Sequence, residues 1–414
     1  MENNNNNNKK FVSGPINVIR LEGEVFGIKK ILYVFLDHHD AETECEYFRS
    51  DEISKYFTKN FDEISKGDKI YDFFLEIPID LLDKKIYITE RNYQHYIFSL
   101  IKLFKQSFEI DLEKNIIGRS NEFPNIRLHY LDTRQYTINS YSTSFSINHN
   151  INHLNINTLS TYILKYHQDG LTINIAEVKN TYDMLYSNKL KKIKHKPLIP
   201  KNAEDLANYN EEEMIKISSS LYNKLLNEYH HYEIKNTITN IINNELKLLF
   251  DNFFEICNNI IKLLPKFDSI LSIKSNELTL DLNINEYNYG NSQMVLQNII
   301  IKLIADNNIR NILNIKIYAF IMDLFFIRRL LDKDYITNGI IYTGSAHSFN
   351  YIYIFVKYFN FKITHCSYLK KGETISKVEE FIKTTSEPQS LSPYFKQQKL
   401  SQCSDMTNFP KFFK

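Results

Sequence analysis

The 414-residue chain has no tryptophan, few cysteines and no excess of charge: 50 Lys and Arg stand against 49 Asp and Glu. Balanced charge leaves no long-range field to draw it to nucleic acid or to an anionic membrane. Its four cysteines, Cys45, Cys257, Cys366 and Cys403, lie far apart without Cys-x-x-Cys spacing. That usage fits reduced thiols in a cytosolic compartment better than a disulfide frame. Long apolar runs are also missing. The most apolar stretch, 312–331, carries Lys316, Asp323, Arg328 and Arg329, and so reads as a buried helix and a poor membrane span. The opening MENNNNNNKK has no apolar segment of the secretory kind, and its Asn run is low-complexity text expected to be disordered. There is no Gly-x-Gly-x-x-Gly, Walker loop, His-Glu-x-x-His or Gly-x-Ser-x-Gly. These absences exclude the common dinucleotide oxidoreductases, P-loop ATPases, zincins and serine hydrolases. The absence of Trp beside abundant Asn, Ile, Lys and Tyr reflects AT-rich coding, not a binding signal.

What is present is organised around GIIYTGSAHSFNYIYIFVKYFNFKITH, residues 339–365. Ile340-Ile341-Tyr342 suits a buried strand. Thr343-Gly344-Ser345-Ala346-His347 is a tight turn that leaves one imidazole at the strand's end, with Ser348 as the expected cap of the next helix. Phe349, Ile352, Phe355, Val356 and Phe359 recur at helical spacing, and 361–365 reads as another strand. This is a βαβ unit, whose crevice at the carboxyl end of the strand is the usual ligand position in open α/β sheets.

Earlier runs have the same form. Val12 to Leu21 and Val25 to Leu36 read as strands, with Gly23 and Gly27 marking the turn between them; the second ends in Asp37-His38-His39-Asp40. A helix is expected over 50–61. A buried strand over 69–77 carries Glu76 near its end, and a strand over 126–131 ends in Asp132-Thr133-Arg134. Titratable groups at the ends of buried strands are costly unless paired or functional. Four apolar runs thus end in polar groups that a parallel sheet would align along one edge: Asp37 with His39, Glu76, Asp132 with Arg134, and His347. The expected fold class is α/β, with a mainly parallel central sheet flanked by helices and a helical insertion. Its parts are a disordered tail (1–11), the first part of the core (12–135), a variable loop and helical insertion (136–335), a closing βαβ part (336–370) and an extended tail (371–414). Within the insertion, helices are expected over 211–264, broken at 227–231 and stopped by Pro265, and over 294–305 and 312–331.

The segments SGPINVIRLEGEVFGIKKILYVFLDHHDAETEC, YDFFLEIP and LHYLDTR, with residues 339–365, resemble a family of uncharacterised proteins of mimivirus-like giant DNA viruses. The resemblance implies host cytoplasm (the virus factory) or the virion as location, with other viral or host proteins as partners. A more distant resemblance, to the TraB/TIKI, ChaN and erythromycin-esterase-like clan, implies an α/β core and hydrolase or metal chemistry. It rests on a strand-end histidine, a strand-end glutamate and a late Gly-x-x-His. His39 matches the first histidine, Glu76 the glutamate, and Gly344 and His347 the late motif. The first motif departs at Leu36, where the clan has glycine.

Two versions of a site follow. In one, His39, Glu76 and His347 hold a divalent transition metal that activates water. In the other, His39 or His347 is the base, a carboxylate such as Asp37 or Glu76 fixes its tautomer, and Arg134 stabilises an oxyanion. Against both stands a non-catalytic virion or virus-factory scaffold that retains an inactive fold. Nothing in the sequence sets the oligomeric state.

Overall fold

The computed structural model describes residues 10–38, 45, 50–83, 95–112, 114, 116–132, 156–187, 220–271, 291–397 and 401–414. The elements of its first third are β1 (Phe11–Ser13), β2 (Asn17–Val25), β3 (Ile28–Asp37), β4 (Asp51–Glu52), α1 (Ile53–Ile64), β5 (Tyr71–Leu75), α2 (His95–Ser107), β6 (Ile110–Asp111), β7 (Ile116–Ile117) and β8 (Ile126–Tyr130). Then come the helices α3 (Ile156–Ser187), α4 (Tyr232–Ile241), α5 (Lys247–Leu271) and α6 (Asn291–Leu331). The chain closes with β9 (Asn338–Gly344), α7 (Ser345–Phe359), β10 (Lys362–Cys366), α8 (Ile375–Thr384), α9 (Ser392–Phe395) and β11 (Cys403–Asp405). It forms two compact units, one of residues 1–133, 229–237 and 322–414, the other of 134–228 and 238–321.

The first unit is built on a six-stranded sheet in the order β10-β2-β3-β9-β5-β8. The four strands β3, β9, β5 and β8 run parallel, while β10–β2 and β2–β3 are antiparallel. The sheet is therefore mixed, with three parallel and two antiparallel pairings. The reason is local: Phe26 (φ 52°) and Gly27 (φ 76°) both take the left-handed conformation of a tight hairpin turn, which folds β2 back on β3. Gly23 lies inside β2 and makes no turn. A Cβ there would stand 2.5 Å from the Phe361 ring, so its missing side chain is what lets that ring in.

Strand alternation sorts the core into two faces. Tyr33, Phe35, Phe73, Leu75, Ile340 and Tyr342 face α1, α2 and the chain's last segment in one apolar cluster. On α1, Ile53, Phe57, Phe61 and Ile64 form the apolar stripe that meets it, and the Glu52 side chain caps the helix by accepting the Ser54 N–H. Burial of each such side chain contributes about 1.5–3 kcal/mol. On the other face, Phe74 packs edge-on against Phe326 of α6, and Gly339 leaves room for Leu32, which a Cβ there would approach to 2.9 Å. Helix α7 is buried nearly all round, from Phe349 to Val356, and ends at Asn360 in the left-handed conformation. Ser348, the expected cap, is inside α7. Its hydroxyl instead bonds Thr343 Oγ1 at 2.8 Å, because the helix starts directly from β9 without a loop.

The second unit is helical. Ile238, Ile242, Leu246, Phe250, Phe253, Cys257, Ile260 and Leu264 form one buried stripe from α4 to α5, through a single π turn at 242–246. Tyr182 of α3 packs edge-on against Phe250, and Arg310 of α6 donates to Asn174 of α3 at 2.9 Å. Two expectations need correction. Residues 294–305 and 312–331 lie in one 41-residue helix, since no Gly or Pro separates them and Asn307 between them is buried. Pro265 sits inside α5, which runs on to Leu271. Among the described residues no helix is long and apolar enough to cross a membrane.

Residues 371–414, expected as an extended tail, carry α8, α9 and β11, which pairs antiparallel with β1. The thiol expectation is overturned for one pair: Cys45 and Cys403 form a disulfide, their Cα atoms 4.9 Å apart. A sequence separation of 358 conceals such a pair until β11 returns beside β1. Cys257 and Cys366 are free. The low-complexity residues 1–9 lie outside the described residues.

Candidate functional site

Gly344 closes β9 and is at once the N-cap of α7, so His347 sits in that helix's first turn at the carboxyl edge of the parallel strands. Both of its ring nitrogens face carboxylates. Nδ1 is 2.6 Å from Asp323 Oδ1, and Nε2 is 3.2 Å from Glu76 Oε1. The other Glu76 oxygen accepts the Gly344 N–H at 2.7 Å, which places a carboxylate on the positive end of α7. The other Asp323 oxygen accepts from Asn350 Nδ2 at 2.5 Å. Gln389 in turn donates to the Ala346 carbonyl at 3.0 Å, bracing the same helical turn.

The centre of this group is buried, while Asn350 and Gln389 are half-buried and Ala346 is exposed. Asp323 is 0% exposed and His347 9%. Burial alone would lower the imidazole pKa, but the charges of Asp323 and Glu76, and hydrogen bonds to both, carry it well above its ordinary value. His347 is therefore an imidazolium at neutral pH, a proton donor held by two acceptors. Tyr351 lies one turn further along α7, fully buried. Its phenol is raised by burial and by the charges of Asp323, Glu76 and Asp132, and stays protonated.

Of the residues expected from sequence, Glu76 and His347 come together, and Asp132 lies close enough to act on Tyr351. Asp37 is buried at the end of β3, in register with Gly344, but alternation puts it on the α1 face, next to the Tyr342 hydroxyl. Leu36, where the clan motif has glycine, is fully buried opposite Thr343. His39 and Arg134 lie outside the described residues. Among the described residues, no group of three or more His, Cys, Asp or Glu is arranged to hold a metal ion. Sequence reasoning missed Asp323 as a partner. Its one signal was a lone carboxylate in the apolar run 312–331.

A second ionic group lies on the same face, since Asp72, Phe74 and Glu76 alternate onto it along β5 and beyond. Asp72 accepts Arg127 Nε at 2.8 Å and Nη2 at 2.6 Å, and faces His129 Nε2 at 2.7 Å. Arg329 Nη2 lies 2.8 Å from His129 Nδ1. A guanidinium can only donate, so Nδ1 accepts and the ring proton sits on Nε2, toward Asp72. Burial, with Arg329 and Arg127 beside it, lowers the His129 pKa despite Asp72. One sheet face thus holds a neutral histidine beside β5, stacked on Phe74, and a charged one past the strand's carboxyl end.

Fold and site together define a mixed α/β protein with a buried histidine–carboxylate group at the ends of its parallel strands. The chain belongs to the DUF5847 family, a family of unknown function, whose model matches residues 10–414. It is similar to uncharacterized protein R706 of Acanthamoeba polyphaga mimivirus, 34% identical over 98% of this chain and 97% of that one. It is also similar to uncharacterized protein R161 of the same virus, 31% identical over 97% and 98% of the two chains. Uncharacterized protein R160 is 30% identical over 98% of each. No solved structure matches the chain at a significant level. None of these comparisons supports the distant resemblance to the TraB/TIKI, ChaN and erythromycin-esterase-like clan.

Proposed function

We propose that Asp323, His347 and Glu76 form a metal-free acid–base site of hydrolytic type. The observation that carries this reading is a single buried imidazole held at both nitrogens by carboxylates at the sheet's carboxyl edge. Asp323 fixes Nδ1, so Nε2 is the working nitrogen. Its contact with Glu76 is the longer of the two, and there a substrate group would insert. The Nε2 proton passes to the leaving oxygen or nitrogen while the Glu76 carboxylate takes a proton from the attacking water.

The test is a panel of chromogenic carboxylic esters, phosphate esters, glycosides and peptides. It compares the wild type with His347→Gln and Glu76→Gln, each checked for fold by circular dichroism. Turnover that falls about a hundredfold or more in both variants, and survives chelation, is expected. Turnover lost on chelation and restored by zinc would move the chemistry to the metal version, with His39 as a further ligand. An inert wild type on every substrate would sink the reading. The burial and full pairing of the trio favour a second reading, an ionic clamp in a viral scaffold or interaction protein. It expects no turnover but a large loss of melting temperature in His347→Gln. The proposed place of action is the host cytoplasm or the virion, which immunogold labelling of infected cells would decide.

A further inference from the structure

Away from the strand-end site, a cleft of about 260 Å³ opens between β1, α1 and the chain's last segment. Its walls are of two kinds. Phe11, Phe409, Phe412 and Met406 supply apolar and aromatic surface. Lys10, Lys59 and Lys411 supply ammonium groups. Asp51 is the one carboxylate among the lining residues, and Lys59 neutralises it at 2.6 Å and 2.8 Å. Two cations, Lys10 and Lys411, have no counterion among the described residues, and they come from the two ends of the described chain. The floor is polar and built. Asn60 is only 9% exposed, its amide fixed by donating to the Tyr56 carbonyl at 2.7 Å. Burial pushes the Tyr56 phenol far up, so it remains a neutral donor.

The backbone here is held out of its ordinary range. Phe412 and Phe413 have φ of 55° and 56°, a left-handed conformation that bulky residues rarely adopt. The arrangement is pinned from outside. The Tyr71 hydroxyl donates to the Phe412 carbonyl at 3.3 Å, and Arg20 and the Tyr33 hydroxyl both donate to the Lys414 carbonyl. Strain that the surroundings hold in place is typical of ligand clamps. Its effect here is to turn Phe412 into the wall of the cleft while Phe413 goes into the core.

We propose that this cleft is a binding site for a small aromatic organic anion, its ring system seated against Phe11, Phe409 and Phe412 and its acid group paired with Lys10 and Lys411. Aromatic walls with a few convergent polar groups are the ordinary make-up of small-molecule sites. The unpaired cations set the sign of the ligand.

The test uses two dyes with the same aromatic body. 1-Anilinonaphthalene-8-sulfonate carries an anionic group, and N-phenyl-1-naphthylamine does not. Fluorescence titration of the full chain should give one saturable sulfonate site, with the neutral dye at least about fivefold weaker. Lys10→Glu with Lys411→Glu should remove that preference. The control Lys66→Glu with Lys114→Glu, at exposed lysines that do not line the cleft, should leave it intact. Melting temperatures confirm that both double variants are folded. Equal affinity for the two dyes would overturn the proposal. So would a sulfonate preference that survives Lys10→Glu with Lys411→Glu, or the absence of any saturable site.

Discussion

Asp323 and Glu76 take His347 by opposite nitrogens, so removing the ring strands two buried carboxylates. Loss of one partner from a buried ionic group costs about 3–5 kcal/mol, and His347→Gln should approach that cost in urea denaturation. The pH dependence has a definite sign. A histidine whose folded pKa is raised contributes stability that is complete below its ordinary value of 6.5 and is lost as pH rises through the raised value. Wild-type stability should therefore decline above neutral pH, and the decline should flatten in His347→Gln; parallel curves would contradict the imidazolium. Gly23 offers a purely steric test. Ala at that position drives a methyl into the Phe361 ring and should cost about 1–3 kcal/mol, with Phe361→Leu recovering part of it. Glu76 and His347 were legible in the sequence because each ends a strand whose apolar run is unmistakable. Asp323 was not, because no spacing rule links a helix carboxylate to an imidazole 24 residues later. Lys30 was equally hidden: it is 1% exposed and donates to the carbonyls of Leu330, Lys333 and Ile336, three hundred residues away.

Among the elements, the strands at the site and helices α1 and α7 fall close to where periodicity puts them, since each pairs a strong apolar pattern with a clear stop. The long helices were harder to read. Polar residues in the α6 text look like a break, yet Asp306, Asn307 and Arg310 are buried, and Arg310 donates to Asn174 of α3. Glu177 of α3 shows the cost of such a core. Burial raises its carboxyl to about 7, and its Oε2 has no hydrogen-bond partner among the described residues. With the folded pKa above the ordinary 4.5, its contribution is complete below 4.5 and lost as pH rises through about 7. Glu177→Gln, neutral throughout, should therefore gain roughly 2–3 kcal/mol over the wild type at pH 8 and nothing at pH 4.5. Thermal melts at the two pH values would show it, and an equal effect at both would rule out a buried titrating carboxyl.

For the molecule as a whole, an α/β class with helical insertion was legible, but the mixed order of the sheet was not. A hairpin set by Phe26 and Gly27 and a strand returning from residue 362 are decisions of turn geometry and long-range pairing. The disulfide belongs to the same class of hidden contact. Thiol titration of the denatured chain without reductant should find two thiols of four, and all four after reduction. Cys403→Ser should cost about 2–4 kcal/mol of stability. Four free thiols at the outset would contradict the link.

The place of β9 has a consequence for how the chain is made. It lies between β3 and β5, yet it follows them by some 300 and 260 residues, so neither strand has its inner neighbour until residues 338–344 have been synthesised. On the ribosome, KILYVFL and YDFFL must wait through the making of the whole helical unit with their backbone edges unpaired. Folding of the sheet must then be slow and late, because loop closure over that distance precedes any gain from pairing. Nascent chains arrested before residue 338 should be protease-sensitive throughout residues 11–130, and chains extended past β10 should gain protection there in a single step.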